Sequence, residues 1–408
     1  MADTVTAGPS RAENLITTVE QLWPNGRVVD GDDGRRSSGP TRWYAFVPNA
    51  AEARFLLPLQ DGTSAGAALR KYSSSLTVRE IVHRTLMSVA FRWGGTVMLR
   101  DRVGVVGEQE SLRSYLSEVL GEEVTFSISL GTARVNRKPI LQIFSAKGRT
   151  LAYAKLGDSP QAMADVQAEA LALRRIEGRL PAALEVPAVL HTGMWRGTFI
   201  LLLTPLRISM WQRPGGQMAV PTAEMLLLSE AFAEQDRRLE ETALWADLQR
   251  GVEALDDGPL RAQLGTLLPG LASLAPDHPL RVGAWHGDWT SWNMARAHGR
   301  VLLWDWERFE TGVLQGLDHC HFLVNAQTRR HGFDAARILH ALRDVQPVGQ
   351  APDAAAVTVG VYLASLAHRY AVGGQGPMGS LIADRAQSVV DALSLWLAQH
   401  HASTKGRL

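Results

Sequence analysis

The sequence predicts an α+β chain with its strands gathered in the first half and its helices in the second. Three observations carry that reading. Residues 124 to 156 alternate like three antiparallel strands. Residues 222 to 274 and 333 to 400 repeat apolar positions at helical spacing. The run Val301-Leu302-Leu303-Trp304 is a short buried strand inside the helical half, and it delivers an acid, Asp305, at its end.

Composition narrows the class. A chain of 408 residues, 46% of them hydrophobic, supports two or three domains with a sizeable core. Forty-two basic residues balance 41 acidic ones, which argues against nucleic acid as the principal partner, because phosphate backbones select basic faces. The single cysteine, Cys320, excludes an internal disulfide framework and agrees with a reducing cytoplasm. No apolar run has the length of a membrane helix, and the N-terminal MADTVTAGPSRAEN lacks a signal-peptide core. The expectation is a soluble cytoplasmic protein without a membrane partner; its oligomeric state stays open.

In chain order, residues 1 to 40 mix polar residues, Gly, Pro and Arg and read as a partly flexible arm, with one short helix over Leu15 to Trp23. Residues 41 to 120 read as an α/β module of unassigned role: a structural extension, a substrate lid or a partner-docking domain. Its pattern starts with two strands around a Pro-Asn turn between Trp43 and Leu59. A helix follows over residues 76 to 93, with Val78, Ile81, Val82, Leu86, Val89 and Ala90 on one apolar face. Thr77 is its N-cap, since Glu80 completes a capping box. Further strands are predicted at Thr96 to Leu99 and Val103 to Val106, and a helix over Gln109 to Leu120.

The strands of residues 124 to 156 turn at Gly131 to Pro139 and at Lys147-Gly148. Lys155 closes an apolar strand, Leu151 to Ala154, and an Ala- and Leu-rich helix ending at Gly178 follows. Phe199 to Leu203 form another short buried strand, and residues 207 to 219 a loop. Helices are predicted at 222 to 236, 238 to 255, 258 to 274, 333 to 346, 352 to 371 and 379 to 400, the last two with Leu363, Leu366, Leu393, Trp396 and Leu397 as core. Adjacent residues on a helix diverge, so His319, Cys320 and His321 do not make a zinc site.

The chemistry concentrates in residues 284 to 309, AWHGDWTSWNMARAHGRVLLWDWERF. Asp288 and Asn293 lie five residues apart on one loop, and Gly287 before them carries the awkward dihedral of a tight turn. Two carboxylates and an amide in apolar surroundings are what phosphoryl transfer from a nucleotide needs. One carboxylate takes the substrate hydroxyl proton, while the amide oxygen and the second carboxylate hold magnesium against the phosphates. No GxxxxGK[ST] string occurs, which counts against a P-loop enzyme.

The string His286-Gly287-Asp288-x-x-x-x-Asn293, followed by Asp305-Trp306-Glu307, resembles the motifs of the aminoglycoside phosphotransferase and choline kinase-like family. The resemblance covers about residues 124 to 400. It implies a bilobal protein-kinase-like fold: an antiparallel small lobe at 121 to 206, a helical large lobe at 207 to 408, and the N-terminal module as an addition. It implies Asp288 as catalytic base, Asn293 and Asp305 as Mg2+ ligands, and His286 as the residue holding the loop. It also implies Lys155 as the nucleotide-phosphate lysine, paired with Glu169 and with Glu177 as the fallback. The first hairpin loop would cover the phosphates, although it holds one glycine, Gly131, in place of GxGxxG; Arg134, Asn136, Arg137 and Lys138 supply donors there. The edge after Leu203 would be the hinge that reads the base of ATP or GTP, and backbone recognition leaves that choice open.

The helical insert would carry acceptor specificity, but its acids Asp236, Glu240, Glu241 and Asp247 read as ordinary solvated faces. Gly312 and Asp318 resemble a Gly-x-Pro-x-x-Asp string lacking its proline and longer by one, which makes Asp318 a helix cap and a brace for the loop. Glu307 reads as a brace in preference to a second magnesium ligand. The reading is therefore a small-molecule kinase with a hydroxyl acceptor such as an aminoglycoside, another antibiotic, a sugar or an amino alcohol. The alternatives are a nucleotide-binding pseudokinase that scaffolds a biosynthetic assembly and a protein kinase. The intact Asp288, Asn293 and Asp305 set opposes the first, and the missing Gly-rich loop and Asp-Phe-Gly oppose the second.

Overall fold

The computed structural model describes residues 11–30, 41–71, 77–107, 110–130, 139–209, 211, 219–274, 278–343, 345, 352–375 and 379–405. The chain is mixed α+β and divides into two compact units, Met1–Arg174 with Pro187–Gly216, and Arg175–Val186 with Gln217–Leu408.

The first unit is built on one sheet. In chain order its elements are α1 (Arg11–Leu22), β1 (Arg27–Asp30), β2 (Thr41–Val47), β3 (Phe55–Pro58), α2 (Gly62–Leu69), α3 (Val78–Arg92), β4 (Arg102–Val106) and α4 (Leu112–Leu120). There follow β5 (Val124–Leu130), β6 (Pro139–Ser145), β7 (Thr150–Gly157) and α5 (Pro160–Ile176); β8 (Leu184–Glu185) belongs to the second unit, and β9 (Val189–Trp195) with β10 (Thr198–Leu203) completes the first. Nine strands pair antiparallel in the order β1-β4-β2-β3-β5-β6-β7-β10-β9. Strands on both sides of residue 120 thus share one layer. Part of the expected N-terminal arm is built into it: Leu15, Val19, Leu22 and Trp23 of residues 11–30 are buried, and the Trp23 ring meets Tyr44 at 5.7 Å and Phe126 at 5.4 Å.

Two details of this unit differ from expectation. Residues Gly95–Met98 form a 3-10 turn in place of a strand, opened by Gly94 at φ 90°. The other concerns α3, whose Thr77–Glu80 capping box is present. Of the apolar face predicted for it only Ile81 is buried, together with Ser88 and Phe91, while Val78, Val82, Leu86 and Val89 are exposed. The reason lies in α2. A Cβ on Gly62 would stand 2.1 Å from the Phe91 carbonyl oxygen, and one on Gly66 2.7 Å from that of Ser88. The two helices meet backbone to backbone, so small residues decide which side of α3 is covered.

The second unit is largely helical: α6 (Thr222–Glu230), α7 (Ala243–Glu253), α8 (Pro259–Ala272), α9 (Leu317–His331), α10 (Ala335–Leu342), α11 (Pro352–Gly374) and α12 (Gly379–Lys405). Its core runs through Trp245, Leu264, Leu271, Tyr362, Leu363, Leu393, Trp396 and Leu397, so the five apolar residues predicted on α11 and α12 are buried. Two small sheets lie within it. Strand β11 (Val282–Trp285) pairs with β14 (Glu310–Leu314), and β12 (Met294–Ala297) pairs with β13 (Arg300–Leu303), which also takes β8 in parallel. Helix α6 ends sooner than predicted, at Glu230, and a 3-10 turn at Leu239–Glu241 precedes α7. Glu241 and Asp247 pair with Arg238 and Arg250 on the surface, as solvated helix faces do. Among the described residues no helix is long and apolar enough to cross a membrane.

Candidate functional site

Two groups of side chains carry the candidate chemistry, one in each unit. In the first unit Lys155 sits on the inner strand β7, flanked by Ile140 of β6 and Leu201 of β10. Strand β7 runs two residues beyond Lys155, to Gly157, before α5 begins. Glu169 of α5 reaches back to it, with Nζ to Oε1 and Oε2 at 2.7 and 2.6 Å. Lys155 is 7% exposed and Glu169 not at all, whereas Glu177 lies exposed beyond the helix. Burial sharpens the geometry: two desolvated charges persist only when well paired. Gly131, Arg134, Asn136, Arg137 and Lys138 lie outside the described residues.

In the second unit the loop between β11 and β12 carries His286, Asp288 and Asn293. His286 is wholly buried, its ring edge-on to Trp306 at 4.7 Å. Burial lowers its pKa to about 4, so the imidazole is neutral at pH 7. Its contacts fix the tautomer. Nε2–H donates to the Trp304 carbonyl at 3.1 Å, and Nδ1 accepts from the Asp288 N–H at 3.2 Å. Gly287 turns the chain at φ 78°, where a Cβ would stand 2.3 Å from the Arg308 carbonyl oxygen. Only glycine suits that position.

Asp318 does not cap α9. Gly316 is the N-cap, with no side-chain bond. The Asp318 carboxylate is turned onto the loop, where its two oxygens accept the His286 and Gly287 N–H groups at 2.7 and 3.1 Å. Burial pushes its pKa up to about 7 while those two donors favour the ionised form. Arg369, from the C-terminal third of α11, donates to the Gly287 carbonyl at 2.9 Å and lies over the Trp285 ring.

These contacts hold Asp288 in place. The Asn293 amide nitrogen donates to its Oδ2 at 2.9 Å and to its carbonyl at 3.0 Å, and His321 Nε2 stands 3.1 Å from Oδ1. Burial raises the Asp288 pKa, but the His321 hydrogen bond, with electrostatic contributions from His321, His286 and Arg308, outweighs it and holds the carboxyl below its ordinary value. The group is therefore an ionised acceptor at neutral pH. His321 is kept neutral by burial, its pKa lowered although the Asp288 bond works the other way. A ring protonated on Nε2 donates to Asp288 and accepts from the Tyr362 hydroxyl, 3.4 Å from Nδ1; Asn325 lies 3.0 Å from Nε2. Cys320 is buried, and burial pushes its thiol up to about 12.

Asp305 follows β13 at φ 66°, a left-handed conformation that side chains rarely adopt. Trp304, beside it, is tied twice to the loop: its N–H donates to the Asn293 carbonyl at 3.0 Å and its own carbonyl accepts from the His286 Nε2–H. Asp288 and Asp305 both act electrostatically on the His286 ring. Glu307 is half-buried in the turn that follows. Among the described residues no three His, Cys, Asp or Glu converge on a metal site. The residues present do fit magnesium: with its amide nitrogen turned to Asp288, Asn293 keeps its oxygen as a donor, and Asp305 adds a carboxylate. Magnesium needs only one or two such ligands besides phosphate and water.

The residues that sequence reasoning missed are Arg369 and His321 in its role at Asp288. Arg369 had a signal, as a lone cation among apolar residues of α11. His321 had a weaker one, His and Asn at i and i+4 on α9.

No protein-family profile matches the sequence, and no curated protein does. Among solved structures, the chain is similar to a thermostable mutant of aminoglycoside phosphotransferase APH(4)-Ia, at 15% identity and a TM-score of 0.46 over 69% of this chain and 98% of that one. It is similar to spectinomycin phosphotransferase APH(9)-Ia, at 11% identity and 0.42 over 70% and 97%, and to amicoumacin kinase, at 11% and 0.40 over 70% and 94%.

Proposed function

We propose that the chain is a small-molecule kinase that transfers the γ-phosphoryl group of ATP or GTP to a hydroxyl of a small acceptor. The observation that carries this reading is the held carboxylate. Asp288 is ionised, gripped at one oxygen by His321 and at the other by Asn293, on a loop braced by Asp318. In the reaction an acceptor hydroxyl attacks the γ-phosphorus, the bond from that phosphorus to the β-γ bridging oxygen breaks, and Asp288 takes the hydroxyl proton. Lys155 holds nucleotide phosphate and is itself positioned by Glu169. Asn293 and Asp305 would hold magnesium, which would neutralise phosphate charge; Glu307 braces the turn beside them. Positioning and charge neutralisation supply most of the acceleration. The acceptor class is an aminoglycoside, another antibiotic, a sugar or an amino alcohol.

The test is phosphate transfer from Mg-ATP or Mg-GTP to a pool of hydroxyl-bearing antibiotics, sugars and amino alcohols, beside Asp288→Ala. We expect transfer that falls by roughly 10²- to 10⁴-fold in the variant, with nucleotide affinity retained. Nucleotide binding with transfer equal in both proteins would sink the assigned base. Failure to bind any nucleotide would overturn the whole reading.

A further inference from the structure

The outer face of α3 has no role in the chemistry above. Val78, Val82, Leu86, Val89 and Trp93 are 42% to 87% exposed there. At about 100° per residue they fall within about 80° of the helix circumference. The intervals from Val82 to Trp93 are four, three and four residues, the repeat of a seam that packs against another helix. On its opposite side Ile81, Ser88 and Phe91 are buried, and the Ser88 and Phe91 carbonyls meet Gly66 and Gly62 of α2. Contiguous apolar surface of this kind on an ordered helix marks an interaction site.

The charges beside the seam select the occupant. Arg79 and His83 flank one edge and Arg92 the other, all exposed. The one acid of α3, Glu80, lies on the far side and is engaged by Thr77 at 2.8 Å. A second copy is disfavoured, because both edges of the seam carry basic side chains and no acid of α3 lies on either edge, so pairing two copies brings like charges together with no acid to oppose them. A membrane surface asks for a wider apolar face and more basic residues than these. We infer that α3 docks an amphipathic helix of another protein, with an apolar seam and acidic flanks.

The experiment uses the full chain and three labelled synthetic helices of about three heptads, with a Leu/Val seam and Glu, Lys or Gln flanks. Binding is read by fluorescence anisotropy. The Glu-flanked helix is expected to bind at least about tenfold tighter than the Lys-flanked one. Val82→Ser/Val89→Ser should abolish that binding, with circular dichroism and Tm showing the chain still folded. Arg79→Glu/Arg92→Glu should reverse the order of the peptides. Equal affinity for all three, binding of none, self-association that the Ser variant removes, or preferential partition onto phosphatidylserine vesicles would each overturn the inference.

Discussion

His321 Nε2 and Asp288 Oδ1 stand 3.1 Å apart across 33 residues of chain, joining helix α9 to the loop after β11. The contact sets both the direction and the acidity of the carboxylate. His321→Ala removes a donor that lowers the Asp288 pKa, so the acid limb of the kcat/KM profile should move to higher pH. Partners that orient a catalytic group are worth roughly 10- to 100-fold, and we expect that loss in kcat with KM for nucleotide little changed. His321→Gln should restore part of it. An unmoved pH profile would reduce His321 to packing.

His286 makes stability depend on pH in a defined direction. Its folded pKa, about 4, lies below its ordinary 6.5, so between those values the unfolded chain binds the extra proton. Its contribution is complete above pH 6.5 and is lost as pH falls toward 4, by up to about 3 kcal/mol. Asp318, raised to about 7, slopes the other way over much of that window. Urea unfolding of Asp318→Asn between pH 4 and 7 should therefore show stability rising with pH more steeply than in the wild type, and His286→Gln, left with the Asp318 slope, should show stability falling as pH rises.

Lys155 and Glu169 test whether an internal ion pair serves stability or ligand. Removing one partner leaves a desolvated charge, and Glu169→Leu alone should cost about 3–5 kcal/mol. Lys155→Met/Glu169→Leu should recover most of that by thermal denaturation. Isothermal titration with nucleotide separates the roles: the double variant is expected to be stable yet weak in nucleotide binding. Full affinity in it would remove Lys155 from the site.

Gly287 tests the turn. Alanine there meets the Arg308 carbonyl and a left-handed φ together. We expect Gly287→Ala to lower stability by roughly 1–3 kcal/mol and to lower kcat beyond what that loss explains, since His286 and Asp288 flank it. Wild-type kcat in the variant would show that the loop tolerates another path.

Short-range signals in the sequence carried well. The Thr77–Glu80 capping box, the buried run before Asp305 and the spacing of Asp288 and Asn293 each depend on near neighbours, and each has its structural counterpart. Signals that depend on what lies opposite did not carry. The periodicity of α3 revealed an apolar face but not which face would be covered, because its neighbour α2 approaches through glycine backbone, which leaves no hydropathy pattern. The same holds for Asp318, whose carboxylate serves donors more than 30 residues away rather than its own helix. Arg369 and His321 likewise act on residues far along the chain.

The glycine contact between α2 and α3 has a consequence for how the surface can change. Because Gly62 and Gly66 hold α3 through its main chain, the orientation of the helix does not depend on its outward side chains. That face is an adaptor whose specificity can be rewritten, residue by residue, without re-engineering the sheet beneath it.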